Sequence, residues 1–352
     1  MKKAKANKNA AAISNANYRI DILECPVCHA GPLKQGHQML ECTQCGESYA
    51  EKDGIPVLLA SNSAFTKLDD MDYDDHHNID GDRREKVADD WQDVFDERGV
   101  TYGDVLEIGC GTGQLTWGLA KQLPFKSVHA CDISFRFLNE LRTDLSGMPG
   151  GADVNYYLCD ANQLPFRDES LDLIVGHSVL HHFIHYEKVI ENVRRMLKPG
   201  GKAMFYEPVI QGKIWVAFFG ELIIRTERNT KVGIMDDDDI EKIKRMNRHI
   251  LKSKWLEGNE EALAKMEDKY IFDLDALAEK SRDWGYSHFE FANNGKPHWG
   301  YKWHVQQHLL MAGIKPEKIQ QFTYMFNAFG HSLSDLVPKS LVTPMGYLIF
   351  SR

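Results

Sequence analysis

Two groups of residues in this 352-residue chain have the types and spacings that chemistry needs. The first is VLEIGCGTGQ, Val105 to Gln114, where Gly109, Gly111 and Gly113 alternate with other residues behind an apolar run. Glycines in a turn between strand and helix let a ligand approach the backbone where a Cβ would block it. A dinucleotide site spaces them G-x-G-x-x-G and points the helix N-terminus at a pyrophosphate. Here Gln114 holds the third dinucleotide glycine's place, and Glu107 brings a carboxylate that would repel a pyrophosphate. A ligand with an ammonium, a sulfonium and no phosphate fits instead: S-adenosylmethionine (SAM). Asp132, 19 residues beyond Gly113, stands where a ribose-binding acid is expected. Asp160 ends a third apolar run, where a carboxylate can accept from the adenine amino group.

The second group is Cys25, Cys28, Cys42 and Cys45, two CxxC pairs separated by 13 residues. Four thiolates on two knuckles satisfy tetrahedral zinc and leave no position open. The metal is therefore expected to be structural Zn2+, and a module this small needs it to fold. His29 is surplus to such a site and reads as a surface residue. Cys110, Cys131 and Cys159 are scattered singly and read as small buried residues. Without a disulfide framework, a reducing cytoplasm is the expected location.

Methyl transfer from a sulfonium is an in-line displacement, so positioning of the nucleophile is the main task. An oxygen or nitrogen acceptor also benefits from a general base. GHSVLHHF offers His177, His181 and His182, and Glu207 ends a later apolar run. His181, His182 and Glu207 are the candidate catalytic residues, with structural packing of the His pair and capping by Glu207 as the competing roles. Tyr73, His76 and His77 lie in an acidic stretch that reads as a linker before it reads as a lid. His304 and His308 have helical i, i+4 spacing near His298, but no HExxH-type carboxylate accompanies them, so no metal site is expected there. Trp215, Phe218 and Phe219 read as core, with the roof of a substrate pocket as the alternative.

These residues need elements to hold them. DVLEIG, SVHACD, NYYLCD, LDLIVGHS and KAMFYEP read as strands with helical stretches between, an order that predicts a parallel sheet covered on both faces. MLKPGGK reads as helix end, turn and strand start. The chain divides into a tail (1–17), a cysteine module ending in DGIPVLL (18–60), a linker or lid (61–86) and an α/β core (87–208). A helical insertion forming a cap (209–272) follows, then a C-terminal part with further cap helices and a closing strand (273–352). MDDDDIEKIKRMNRHI reads as a helix whose first-turn aspartates suit its N-terminus. DLDALAEKSRDWGYSHFEFANN reads as helix, glycine turn and strand. There is no internal repeat.

Composition sets the frame: 43% hydrophobic and 26% charged residues are ordinary for a globular protein. The net charge of −9 argues against broad phosphate binding, and no interleaved basic and aromatic stripe suggests nucleic acid. The basic MKKAKANK is followed by no long apolar segment, so it reads as a solvated tail, not a signal peptide. IWVAFFGELII, from Ile214, is too short to span a bilayer.

The motifs VLEIGCGTG, ACDIS, CDANQLPF, SVLHHF and MLKPGGKAMFYEP, over roughly residues 87–208, resemble those of the class I SAM-dependent methyltransferases. The resemblance implies a doubly wound, Rossmann-like sheet of seven strands closed by an antiparallel pair, for which HFEFANN and MGYLIFSR are the candidates. It implies that Glu107 and Gly109, Cys110, Gly111 and Gly113 contact the methionyl moiety and Asp132 the ribose. Ile133 belongs with Asp132, Asp160 and Ala161 take the adenine, and the residues around His177 line the cofactor's other side. Residues 18–60 resemble the zinc ribbon that precedes some bacterial methyltransferases. The expected function is methylation of an oxygen or nitrogen of a small or hydrophobic biosynthetic metabolite, with the ribbon free to meet a protein partner. Two rivals are an rRNA methyltransferase, which shares the ribbon-plus-core layout, and a non-catalytic SAM and zinc scaffold.

Overall fold

The structure, a computed structural model, describes residues 18–60, 81–146, 152–230, 233–255, 258–293, 301–333 and 341–352. Five parallel strands lie where the apolar runs predict them: β5 (Asp104–Ile108), β6 (Ser127–Asp132), β7 (Asp153–Cys159), β8 (Leu171–His177) and β9 (Leu197–Pro208). Every residue of β5 is buried, as expected of a strand covered on both faces. β10 (His288–Ala292) and β11 (Met345–Ser351) close the sheet as an antiparallel pair, β11 against β9 and β10 against β11. They coincide with HFEFANN and MGYLIFSR. These seven strands run in the order β7-β6-β5-β8-β9-β11-β10.

The sheet does not stop at seven. β1 (Leu33–Gln35), β2 (Met39–Cys42), β3 (Ser48–Lys52) and β4 (Ile55–Leu58) continue it to eleven strands, with β4 parallel to β7. The register is short, Val57 opposite Leu158 and Leu58 opposite Cys159. It pairs backbone groups on β7 that a seven-stranded sheet would leave at an open edge. The cysteine module is thus part of the sheet. Leu23 bridges Phe166, the Glu24 N–H donates to the Pro165 carbonyl (2.9 Å), and Arg19 pairs with Asp104 at 2.6 Å. Tyr18, Leu23, Leu40 and Tyr49 share one continuous core with Leu106, Tyr157 and Phe166.

Strand alternation sorts the helices. Val105, Val128, Leu173 and Met204 face α1 (Gly81–Glu97) and α2 (Thr116–Lys121), and Ala130 and Leu158 face α3 (Phe135–Ser146) on the same side. Leu106, Ile174, Ala203 and Phe205 face α4 (Tyr186–Met196) and α8 (Leu274–Asp283) on the other. MLKPGGK departs from its expected form: α4 gives way directly to β9 at Leu197, which pairs with Leu171, and the turn becomes an irregular register in the strand. The remaining helices are α5 (Ile210–Thr230), α6 (Asp237–Trp255), α7 (Glu260–Ala264), α9 (Tyr301–Met311), α10 (Pro316–Gln320) and α11 (Thr323–Leu333). All but α7 gather around Val216, Phe219, Ile223, Ile243, Val305 and Phe326, a second core over the sheet's carboxyl edge. Among the described residues no helix is long and apolar enough to cross a membrane.

Candidate active site

Strand order reverses between β5 and β8, and in open α/β sheets the crevice beyond such a reversal is where ligands bind. The loop after β5 opens there. Gly109, Gly111 and Gly113 have φ of +63°, +51° and +89°, a region that a Cβ disfavours. The three are not equivalent. A Cβ on Gly109 would lie 2.2 Å from Val179 Cγ2, and one on Gly113 2.2 Å from Leu141 Cδ1. A Cβ on Gly111 would meet nothing within 4 Å. Gly109 and Gly113 let the loop pack onto the β8 turn and α3, and Gly111 faces open space.

Glu107 lies beneath this loop, 2% exposed, with its Oε2 accepting from the Thr116 hydroxyl that opens α2 (2.5 Å). Burial pushes its carboxyl up to about 8, with Asp132 adding to the effect and Thr116 opposing it. Asp132 ties two loops together: Oδ2 accepts from the Gly111 N–H (2.9 Å) and Oδ1 from the Ser134 N–H (2.8 Å). Burial raises its pKa too. Asp160 caps a short 3-10 turn, Ala161–Gln163, accepting at Oδ1 from the Asn162 backbone (2.9 Å) and side chain (2.8 Å). Cys110 is buried, and Ile133 and Ala161 are half-buried. His177 accepts at Nδ1 from the Trp91 indole N–H (3.0 Å) and stacks on Tyr206, and burial lowers its pKa to about 3. Arg84, also on α1, donates to the Thr112 carbonyl (3.0 Å) and so clamps the glycine loop. Trp91 and Arg84 carry no sequence signal, since they reach the site only through the packing of α1.

The second cluster sits past β8. Glu207, 0% exposed, accepts at Oε1 from the Val179 (2.9 Å) and Leu180 (2.6 Å) N–H groups, and at Oε2 meets His181 Nδ1 (2.5 Å). Both oxygens are taken up in holding the Leu180–His182 turn. His181 Nε2 lies 3.3 Å from Asp268. Burial opposes the imidazolium, but the Glu207 and Asp268 carboxylates outweigh it and raise His181 to about 9. His182 is shifted the other way, by burial and by the neighbouring His181 charge, and its Nδ1 bonds the Glu267 carbonyl at 3.1 Å. His181 is thus the charged member of the pair and His182 the neutral one. Asp268 escaped sequence reasoning because one of two adjacent acids in the polar run MEDKY has no spacing to mark it.

His304 and His308 are tied to each other and to α5. His308 Nδ1 donates to the His304 carbonyl (2.7 Å) and its Nε2 meets Lys213 Nζ (2.7 Å). His298, Tyr73, His76 and His77 lie outside the described residues. The aromatic trio divides: Phe219 is buried in the cap core, Phe218 is exposed, and Trp215 donates its indole N–H to the Leu341 carbonyl (2.8 Å).

In the N-terminal module the four cysteine sulfurs all lie within 4.8 Å of one another. Cys25 Sγ is 3.7 Å from Cys45 Sγ, and Cys28 Sγ is 3.6 Å from Cys42 Sγ. Zinc–sulfur bonds of about 2.3 Å give a tetrahedron with edges of about 3.8 Å, so the four thiols fit the metal. The Gln44 and Cys45 N–H groups point at Cys42 Sγ (3.4 and 3.5 Å), as in a zinc knuckle. His29 stands apart, bonded to Glu24.

A methyltransferase-domain family profile matches residues 106–205. A ubiquinone/menaquinone biosynthesis C-methyltransferase, UbiE, of Cupriavidus taiwanensis is 37% identical over 121 residues, 34% of this chain and 48% of that protein. The namesake protein of Burkholderia mallei is 35% identical over 114 residues, 32% of this chain and 45% of that one. The chain spans about half the length of these relatives. Among solved structures, phosphoethanolamine N-methyltransferase 2 of Haemonchus contortus is similar with a TM-score of 0.41 and 16% identity, over 74% of this chain and 51% of that one. A SAM-dependent methyltransferase of Clostridium acetobutylicum gives 0.32 and 25%, over 38% and 52%. The profile match runs from within β5 to within β9, so residues 106–205 carry a methyltransferase domain.

Proposed function

We propose that the whole chain is a cytoplasmic enzyme that transfers the methyl group of SAM to a small-molecule acceptor. The observation that carries this reading is the convergence of the Gly111 opening, Asp132 and Asp160 at the carboxyl ends of three neighbouring strands, β5, β6 and β7. Gly111 admits the methionyl part, Asp132 meets the ribose hydroxyls, and Asp160 with Ala161 meets the adenine. When bound, SAM supplies an electrophilic methyl. The protein's part is to hold the acceptor in line with it and to keep water out beneath the cap helices. His182, neutral and with Nδ1 held by the Glu267 carbonyl, is the group suited to receive an acceptor proton at Nε2. His181, charged between two carboxylates, is suited to positioning. The names of the UbiE relatives state C-methylation, which supports carbon as the acceptor atom over the oxygen or nitrogen expected from the sequence. Cys25, Cys28, Cys42 and Cys45 would hold a structural Zn2+.

Calorimetry on the purified protein tests the reading. Saturable binding of both SAM and its demethylated product is expected, weakened at least tenfold in Asp160→Ala. A folded protein that binds neither would leave the chain a scaffold.

A further inference from the structure

α5 leaves the sheet without a loop. The Val209 N–H bonds the Pro344 carbonyl and the Ile210 N–H bonds the Phe272 carbonyl, each at 2.9 Å. Gly212 presses so closely on the next segment that a Cβ would lie 2.1 Å from the Thr343 carbonyl carbon. The first turn of α5 is thereby fixed over the carboxyl end of β9, the end that also carries Glu207 and the His181 turn. Lys213 is on that turn.

The surroundings of Lys213 are unusual for an ammonium. Its hydrogen bond is to His308 Nε2 on α9 (2.7 Å), and His308 Nδ1 in turn donates to the His304 carbonyl (2.7 Å). With Nδ1 carrying the proton, Nε2 is the acceptor and the lysine the donor. The partner is a neutral ring: burial, then the lysine itself, lower His308 to about 4 and His304 to about 3. Burial likewise lowers Lys213, to about 8. Among the described residues no carboxylate is within 4.0 Å of Lys213 Nζ. Asp268 acts on it only through space and is already engaged with His181. A half-buried ammonium whose hydrogen bond goes to a neutral ring and not to a carboxylate is costly. What removes the cost is an anion entering from the sheet side.

We infer that Lys213, aimed by His308, is the seat for an anionic group, a carboxylate or a phosphate, of the methyl acceptor. This rests on the reading of the chain as a SAM-dependent methyltransferase. His308 takes one of the three N–H donors of the ammonium and orients the other two toward the oxyanion. The seat lies on the same edge as His181, His182 and Asp268, so an acid bound here extends its body toward the cofactor loop. It selects acidic acceptors by leaving a neutral analogue facing an unpaired charge.

The experiment uses the 352-residue chain saturated with S-adenosylhomocysteine, at constant ionic strength set with chloride. Inorganic phosphate and benzoate are titrated separately, and binding is followed by calorimetry and by melting temperature. One of the two should bind saturably, and which one does distinguishes phosphate from carboxylate. Lys213→Met should weaken that binding at least tenfold while melting no lower than the wild type without anion, and Lys213→Arg should retain part of it. His308→Gln, which leaves the lysine but not its aim, should weaken binding severalfold and serves if the methionine variant does not fold. Equal anion binding in wild type and the variants, or none in the wild type, would overturn the seat. SAM binding measured on cofactor-free protein from the same preparations separates the two ideas. A wild type that binds SAM but no anion sinks the seat alone, and one that binds anion but no SAM sinks the methyltransferase reading.

Discussion

The glycine loop separates residues that a sequence makes look alike. All three glycines have left-handed backbone, yet Gly109 is confined by Val179 and Gly111 faces open space. Gly109→Ala must absorb both the backbone strain and a clash inside the core, roughly 2–4 kcal/mol. Gly111→Ala carries the backbone strain alone, roughly 1–2 kcal/mol, but puts a methyl where the cofactor would lie. The first variant should therefore lose stability in a denaturant melt, and the second should lose SAM affinity at least tenfold in calorimetry with a much smaller stability loss. Unchanged affinity in Gly111→Ala would remove the cofactor from that face of the loop. The loop itself was legible because a G-x-G-x-G turn after an apolar run is a local pattern. Which glycine opens outward was not, because Val179 and Leu141 arrive from other elements. Glu107 shows the same limit: its type was visible, but its burial and its bond to Thr116 depend on how α2 starts.

At the scale of elements, the Leu180–His182 turn is gripped from both sides, by Glu207 at the end of β9 and by Asp268 ahead of α8. His181 has a folded pKa of about 9, above its ordinary 6.5, so its ion pairs stabilise the fold fully below about pH 6.5. That contribution fades as pH rises through about 9. Asp268→Asn removes one carboxylate and lets His181 titrate lower, so the loss should be smaller and complete at a lower pH. The cost near pH 7 should be about 1 kcal/mol, because the half-exposed Asp268 is screened by solvent. Imidazole NMR titration with melts across pH 6 to 10 checks both, and an unmoved His181 would leave Glu207 as the group that sets its charge. The strands behind this turn could be read in advance, since buried parallel strands are continuous apolar runs. The helical cap was visible only as helices, because its amphipathic faces do not say which sheet edge they cover. His304 and His308 illustrate the point: their spacing was plain, and their partner Lys213 was not.

For the whole molecule, the main departure from expectation is the N-terminal module. It is welded onto the domain through the β4–β7 pairing, where Leu58 sits opposite Cys159, next in sequence to Asp160. With zinc bound by the four cysteines, stripping it with a chelator should do more than unfold a ribbon. The melting temperature of the entire protein should fall, and SAM affinity should weaken severalfold as the Asp160 end of β7 loses its neighbour. Melts and calorimetry before and after chelation, with zinc restored as a control, decide the matter. Unchanged values would make the ribbon an independent passenger. A two-residue register is too short to leave a trace in hydrophobic periodicity, which is why the module looked separate.

The same pairing has a consequence for synthesis. β4 leaves the ribosome well before β7 exists, an interval on the order of ten seconds at ordinary elongation rates. Through that interval the ribbon must hold its shape with one edge unpaired, and a local clasp of four thiols is the kind of closure that needs nothing made later. Joining of the ribbon to the sheet then runs backward along the chain, since β7 must find a strand that has been waiting. A nascent chain short of metal would present β7 with no formed edge to join, so the supply of zinc during translation would govern how much of the protein reaches the state with a complete cofactor crevice.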